Sequence, residues 1–184
     1  MSRITSRLRT AASAVAFLLA ACGAPEPAGK GAAHTVEAPS LGLRLTALPA
    51  GFTAPREGEG RLELDAPLDG VDGTAALWIE PRAEAVNLVA ETRRFGEQAA
   101  AEPGGEFHGG SELVTGYGPA FTARAAIESG AVEERRTFLL HPDASERLLV
   151  VSLRYPPGGA EVSRARLQQV LELLSALEPA DASG

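Results

Sequence analysis

The chain has one cysteine, Cys22, one methionine, one tryptophan and few aromatic residues, 5% of its 184 positions. A lone thiol allows no intrachain disulfide and no CxxC redox or zinc-ribbon site, so the folded state must rest on packing. Long apolar runs are missing too. The uncharged stretch Ala11 to Ala21 falls well short of the roughly 20 apolar residues a membrane-spanning helix needs. Positive charge is scarce, with 17 Lys and Arg against 24 Asp and Glu and a formal net charge of −7. The adjacent pairs Arg93-Arg94 and Arg135-Arg136 sit among glutamates, which excludes the clustered cations of a nucleic-acid surface. The same balance sets the folded body against anionic lipid headgroups. The phosphate-loop patterns GxxxxGK[ST] and GxGxxG are absent, as is the GxSxG nucleophile elbow.

What is present begins with a leader. Arg3, Arg7 and Arg9 precede the apolar run Ala11 to Ala21, the order of a secretion signal. The run ends in Leu19-Ala20-Ala21-Cys22-Gly23. This stretch resembles the lipobox of bacterial lipoproteins, and the resemblance covers the first two dozen residues. It implies that residues 1–21 are a signal peptide and that the Cys22 sulfur carries a diacylglyceryl thioether. Cleavage then falls before Cys22, whose amine takes a further acyl chain such as palmitate. Burial contributes about 0.8 kcal/mol per methylene, so two or more chains hold a protein at a bilayer where one does so only reversibly. Gly23 stands where an Asp would imply retention at the inner membrane, so the resemblance implies the outer membrane in a Gram-negative host.

Residues 22–40 are rich in Pro, Gly and Ala and read as the lipidated cysteine and a flexible tether, with His34 solvated inside it. A single domain is expected over 41–178, followed by a tail over 179–184. The composition, 45% apolar and 22% charged, suits one globular domain of this length. Leu41, Leu43 and Leu45 alternate with polar or small residues, as do Leu62 and Leu64, and Thr74 to Glu80 follows two Asp-Gly turn signals. From Ala83 to Ala101 the period changes: Ala85, Leu88, Thr92, Phe95 and Ala99 form one helical stripe, with Gly96 as a weak point. A glycine-rich loop is expected from Pro103 to Gly110. Phe121 to Ile127 alternates again, Ser129-Gly130 makes a hairpin turn, and Val132 to Leu140 and Arg147 to Tyr155 are further strands. Leu148-Leu149-Val150-Val151 is apolar without a break, the mark of a central strand covered on both faces. A closing helix over Ala160 to Leu177 lines up Leu167, Val170, Leu171, Leu174 and Leu177, and Pro179 stops it.

The fold class expected is therefore α+β, a mainly antiparallel sheet of about six or seven strands covered by two principal helices. This element order over residues 41–178 resembles the PsbP-like sandwich, a fold of accessory proteins found in photosystem subunits and bacterial envelope lipoproteins. The resemblance is one of order, with no sequence motif, and brings no functional residue with it.

Few residues promise chemistry. His108-Gly109-Gly110-Ser111 is similar to the oxyanion loop of esterases, and a small serine hydrolase using His108 and Ser111 is one alternative. His108 with Glu106 and His141 with Asp143 are two-residue clusters, short of the three or four ligands of a stable metal site, so no metal and no cofactor is expected. Glu133 and Glu134 fall on opposite faces of a strand, share no proton, and are expected to be solvated. Trp78, Tyr117 and Tyr155 are candidates to line a pocket for an apolar ligand, with core packing as the plainer account. The leading expectation is a non-enzymatic, lipid-anchored envelope domain that binds or assists a protein or small molecule. A carrier of an apolar ligand is the other alternative.

Overall fold

A computed structural model of the protein describes residues 35–116, 118–141 and 144–180. Residues 1–34, with the leader, Cys22 and His34, lie outside the described residues, as do Tyr117, Pro142 and Asp143. The elements run β1 (Val36–Ala38), β2 (Leu43–Leu45), β3 (Thr53–Gly58), β4 (Arg61–Asp65), β5 (Thr74–Pro81), α1 (Leu88–Ala101), β6 (Glu106–Thr115), β7 (Gly118–Ile127), β8 (Val132–His141), β9 (Ala144–Tyr155), α2 (Ala160–Ala176) and β10 (Leu177–Pro179). Seven strands make one sheet in the order β3-β4-β5-β9-β8-β7-β6, and β1-β2-β10 make a small second sheet. Every pairing is antiparallel.

The position of β9 follows from its composition. Leu148, Leu149, Val150 and Val151 are each at most 1% exposed, which only the middle of a doubly covered sheet provides. Leu149, Val151 and Leu153 pack toward Val170, Leu173 and Leu174 of α2. Leu148 and Val150 pack with Phe138 toward Phe95 and Ala99 of α1 on the other side. Burying each such side chain contributes about 1.5 to 3 kcal/mol, so the two helices are held by the sheet they cover. The result is the expected α/β/α sandwich.

Several boundaries differ from the sequence reading. The tether expected to reach Ser40 gives way earlier to structure: Val36, Glu37 and Ala38 pair with Leu45, Arg44 and Leu43, and Ala38 is buried. The chain also stays ordered past residue 178, because Leu177 to Pro179 pair with β2 and the Ala180 N–H donates to the Gly42 carbonyl. Helix α1 starts at Leu88 rather than Ala83, since the Asn87 side chain accepts from the Ala90 N–H and caps the first turn. Strand β3 escaped the reading because all six of its residues are exposed, which leaves no alternation to see.

Two corrections bear on the site. The expected loop to Gly110 is a strand from Glu106 onward, with a bulge between Phe107 and Gly109. The bulge adds one residue and re-aims the side chains around it. In α2 the buried stripe is rotated from the one expected: Arg166 and Gln169 occupy it with Val170, Leu173 and Leu174, whereas Leu167 is only half-buried. Arg166 is fully buried, and its guanidinium donates to the carbonyls of Ala66, Val71 and Asp72 and to Gln169 Oε1. A polar side chain whose two terminal nitrogens are satisfied in this way can take an inner-face position that hydrophobicity alone assigns to leucine, although its Nε has no acceptor among the described residues.

Candidate functional site

Strands β6, β7 and β8 form one end of the large sheet, and β6 is its edge. On the face shared with α2, Ser111 stands opposite Thr122, Thr122 opposite Thr137, and Arg124 opposite Arg135. Ser111, Thr122, Arg124 and Arg135, together with His108 and the glycines of the bulge, line a polar recess of about 220 Å³, with Thr137 buried beneath it. The twist and bulge of the edge strand thus bring His108 and Ser111, singled out in the sequence, to one place.

The hydrogen bonds show what this recess can do. Thr137 Oγ1 donates to Thr122 Oγ1 at 3.2 Å in a fully buried pair, which leaves the Thr122 hydroxyl hydrogen for another acceptor. Arg124 Nη1 donates to Glu133 Oε2 at 3.1 Å. Arg135 is 7% exposed and donates from Nη2 to Ser163 Oγ at 2.9 Å and to the Ser163 carbonyl at 3.3 Å. Its Nε is buried and has no acceptor among the described residues. Ser111 and His108 are not joined as nucleophile and base: among the described residues no hydrogen bond links them, and His108 Nδ1 lies 3.7 Å from Glu106 Oε1. Ser111 sits within a strand, not at a strand-to-helix turn.

The other sequence candidates are dispersed. Glu133 and Glu134 are both buried, not solvated, because each meets an arginine: Glu133 meets Arg124, and Glu134 Oε1 accepts from Arg136 Nε at 2.6 Å and from Ser152 Oγ at 2.7 Å. His141 is likewise buried at the end of β8, where its Nε2 lies 3.0 Å from the Leu41 carbonyl and ties β8 to the turn before β2. Trp78 and Tyr155 share no pocket, since they lie on opposite faces of the sheet. Trp78 donates from Nε1 to Glu80 and has the guanidiniums of Arg61 and Arg136 within 5.2 and 5.9 Å of its ring.

A second concavity lies on the opposite face, between α1 and the β6–β7 end. It encloses about 540 Å³ and presents Val89, Phe107 and Phe121. Val89 is 58% and Phe107 37% exposed, unusual for side chains of that size. Gly96 sets its depth: a Cβ there would stand 3.0 Å from the Phe107 ring, so the expected weak point of α1 is where helix and strand approach closely.

Sequence reasoning missed Thr122, Arg124 and Arg135. One signal could have found the arginines: they lie equally far on either side of the Ser129-Gly130 turn, so hairpin pairing places them opposite each other.

The architecture defines the class as a PsbP-like α+β sandwich, and solved structures share it. The chain is similar to the Ran-binding protein Mog1p of Saccharomyces cerevisiae, at 13% identity over 83% of this chain and 97% of that one, with a TM-score of 0.55. It is similar to cyanobacterial PsbP (CyanoP) of Synechocystis, at 8% identity over 86% and 98%, TM-score 0.55. LpqN of Mycobacterium tuberculosis, a protein involved in cell envelope biogenesis, matches at 9% identity over 81% and 86%, TM-score 0.50. At these identities the likeness is one of fold. No protein-family model and no curated relative matches the sequence.

Proposed function

We propose that the protein is a bacterial envelope lipoprotein, anchored through acyl chains on Cys22, whose sandwich domain is a non-enzymatic binding or accessory module. The observation that carries the binding half is the polar recess: Ser111 and His108 share it with two arginines, without the hydrogen bond that would activate a nucleophile. The fold supports the same reading, since its structural relatives include a Ran-binding protein and a protein of envelope biogenesis. The anchoring half rests on Leu19-Ala20-Ala21-Cys22. No helix among the described residues is long and apolar enough to cross a membrane. With Gly23 after the cysteine, the outer membrane is the destination in a Gram-negative host.

Two experiments test the halves separately. Expressed in a bacterium, the wild-type chain is expected to partition into detergent and to gain the mass of a diacylglyceryl group, and Cys22→Ser to lose both. Identical mass and partitioning of the two would overturn the anchor. A screen of the protein against generic esters, phosphates and peptides is expected to show no turnover; hydrolysis abolished by Ser111→Ala would replace the binding module with a serine hydrolase.

The apolar groove favours a second reading, a carrier of an apolar ligand held between α1 and β6. Native mass spectrometry is expected to find co-purified lipid if that is so. A lipid-free protein that takes up none from added fatty acid removes it.

A further inference from the structure

We propose that the recess on the α2 face is a binding site for a singly charged oxyanion, a carboxylate or phosphodiester group. The inference rests on the binding-module reading and names the chemistry its site accepts.

The argument starts from a local conflict. Arg124 and Arg135 face each other across adjacent strands, and like charges in that relation destabilise a sheet. Glu133 answers one of them. Arg135 has only neutral neighbours to answer it among the described residues, Ser163 and the Tyr155 hydroxyl, although it is more than nine-tenths buried. A buried guanidinium answered by no carboxylate keeps an unbalanced charge, and this one borders the recess; its Nε, like those of Arg154 and Arg166, also has no acceptor among the described residues. The two arginines and Glu133 leave one net positive charge, set in a chain whose formal net charge is −7. One negative charge balances it.

The remaining lining fits the same ligand. A guanidinium presents its N–H groups as a planar fork that matches two oxygens sharing one charge. Thr122 keeps a hydroxyl hydrogen to donate, and Ser111 and His108 stand at the mouth with further donors. The recess, about 220 Å³ and open to solvent, has room for such a group, with the rest of the ligand beside the edge strand β6.

The test uses the full chain in zwitterionic detergent and follows the arginine Nε–H resonances by NMR. Acetate and dimethyl phosphate are titrated against sodium chloride at equal ionic strength. Both anions are expected to move the Arg135 Nε–H signal saturably, and chloride is not. Arg135→Lys retains the charge but not the fork, and Arg124→Gln removes one charge while leaving the buried Glu133 unpaired, so each variant is first checked for a wild-type amide spectrum and melting curve; each is expected to weaken binding about tenfold or more. Vesicles of phosphatidylcholine with and without phosphatidylglycerol, used with Cys22→Ser protein so that no acyl chain holds it at the bilayer, identify the source: retention only where phosphatidylglycerol is present, lost on adding Arg124→Gln, points to a lipid phosphodiester, and its absence alongside acetate binding points to a soluble carboxylate. No saturable movement with either anion, or unchanged affinity in both variants, overturns the proposal. Such a failure without ester turnover leaves the binding-module reading standing, whereas turnover lost in Ser111→Ala removes that reading while anion binding is read independently.

Discussion

The two faces of the large sheet treat arginine differently. Under α1, guanidiniums meet carboxylates: Arg136 pairs with Glu134 at 2.6 Å, and Arg82 bridges Glu80 and Glu91 at 2.5 and 3.0 Å. Under α2, of Arg124, Arg135 and Arg166, only Arg124 has a carboxylate partner among the described residues. Arg166 is held by three backbone carbonyls and Gln169, with the Tyr155 ring 5.1 Å away, and burial pulls its pKa below the usual arginine range. Arg135 meets only neutral groups, Ser163 and the Tyr155 hydroxyl, and its Nε, like that of Arg166, has no acceptor among the described residues. The first face is electrostatically closed, a set of fasteners between strands and helix. The second uses one cation as a clamp and leaves another unmatched, and an unmatched buried charge is where a ligand is most expected.

The clamp is the place to break that contrast hardest. Arg166→Met keeps the bulk of the side chain while removing every donor to Ala66, Val71 and Asp72, which fold the 66–73 segment against α2. Buried carbonyls left without partners outweigh the relief of desolvating no cation, and a loss of about 3 kcal/mol is expected in urea unfolding. A variant as stable as wild type would show that the cation is tolerated rather than needed.

A smaller effect is expected on the paired face. Glu134→Gln removes the charge that answers Arg136 while keeping the size of the side chain and an acceptor for Ser152. With Glu134 buried, the same urea experiment is expected to show a loss of about 2 kcal/mol. Combined with Arg136→Met the loss is expected to shrink, because the second change removes the orphaned charge.

Glu80 sharpens the comparison through pH. Burial pushes its carboxyl up, but hydrogen bonds from Trp78 and Arg82 and the charges of Arg82 and Arg136 outweigh that and leave it below the ordinary glutamate range. A carboxylate with a depressed folded-state pKa binds fewer protons than in the unfolded chain near its ordinary pKa. It therefore contributes stability above that pKa and loses it as pH falls through the folded value. Thermal melts are expected to decline as pH drops below the usual glutamate range, and Glu80→Gln to flatten that part of the profile. An unchanged profile would show that solvent screens the network at this half-exposed side chain.

How much of this could be read from the sequence depends on what encodes each part. The central strand and both helices are written in local apolar periodicity and the hairpin in its Ser129-Gly130 turn, and they stand where the sequence puts them apart from the later start of α1 and the rotated face of α2. Strand β3 and the start of β6 carry no such record. One is exposed throughout, and in the other the glycines of a bulge read as loop. The site was half visible. His108 and Ser111 drew attention as a motif, but the residues that give their recess its charge are ordinary members of an alternating strand. Arg135 gains its character only from Arg124 across the ladder and Ser163 on α2, contacts between residues far apart in the chain. Buried arginine is also invisible to a hydrophobic stripe, which is why the face of α2 came out rotated.

The smallest expected effect falls on Tyr155, where the α2 face has another unmet polar atom besides the Nε of Arg135 and of Arg166. Its hydroxyl is buried with no hydrogen-bond partner among the described residues, and burial pushes its pKa up while the nearby charge of Arg135 pulls it down. Tyr155→Phe removes only that oxygen and keeps the ring that lies over Arg166. An unpaired buried hydroxyl contributes no hydrogen bond to lose, so unfolding in urea is expected to change by less than about 0.5 kcal/mol, or to favour the variant slightly. A loss above 1 kcal/mol, roughly one neutral hydrogen bond, would mean that the hydroxyl is engaged in solution. Arg135 is the group it would engage, and the donor left over for an oxyanion would then be one fewer.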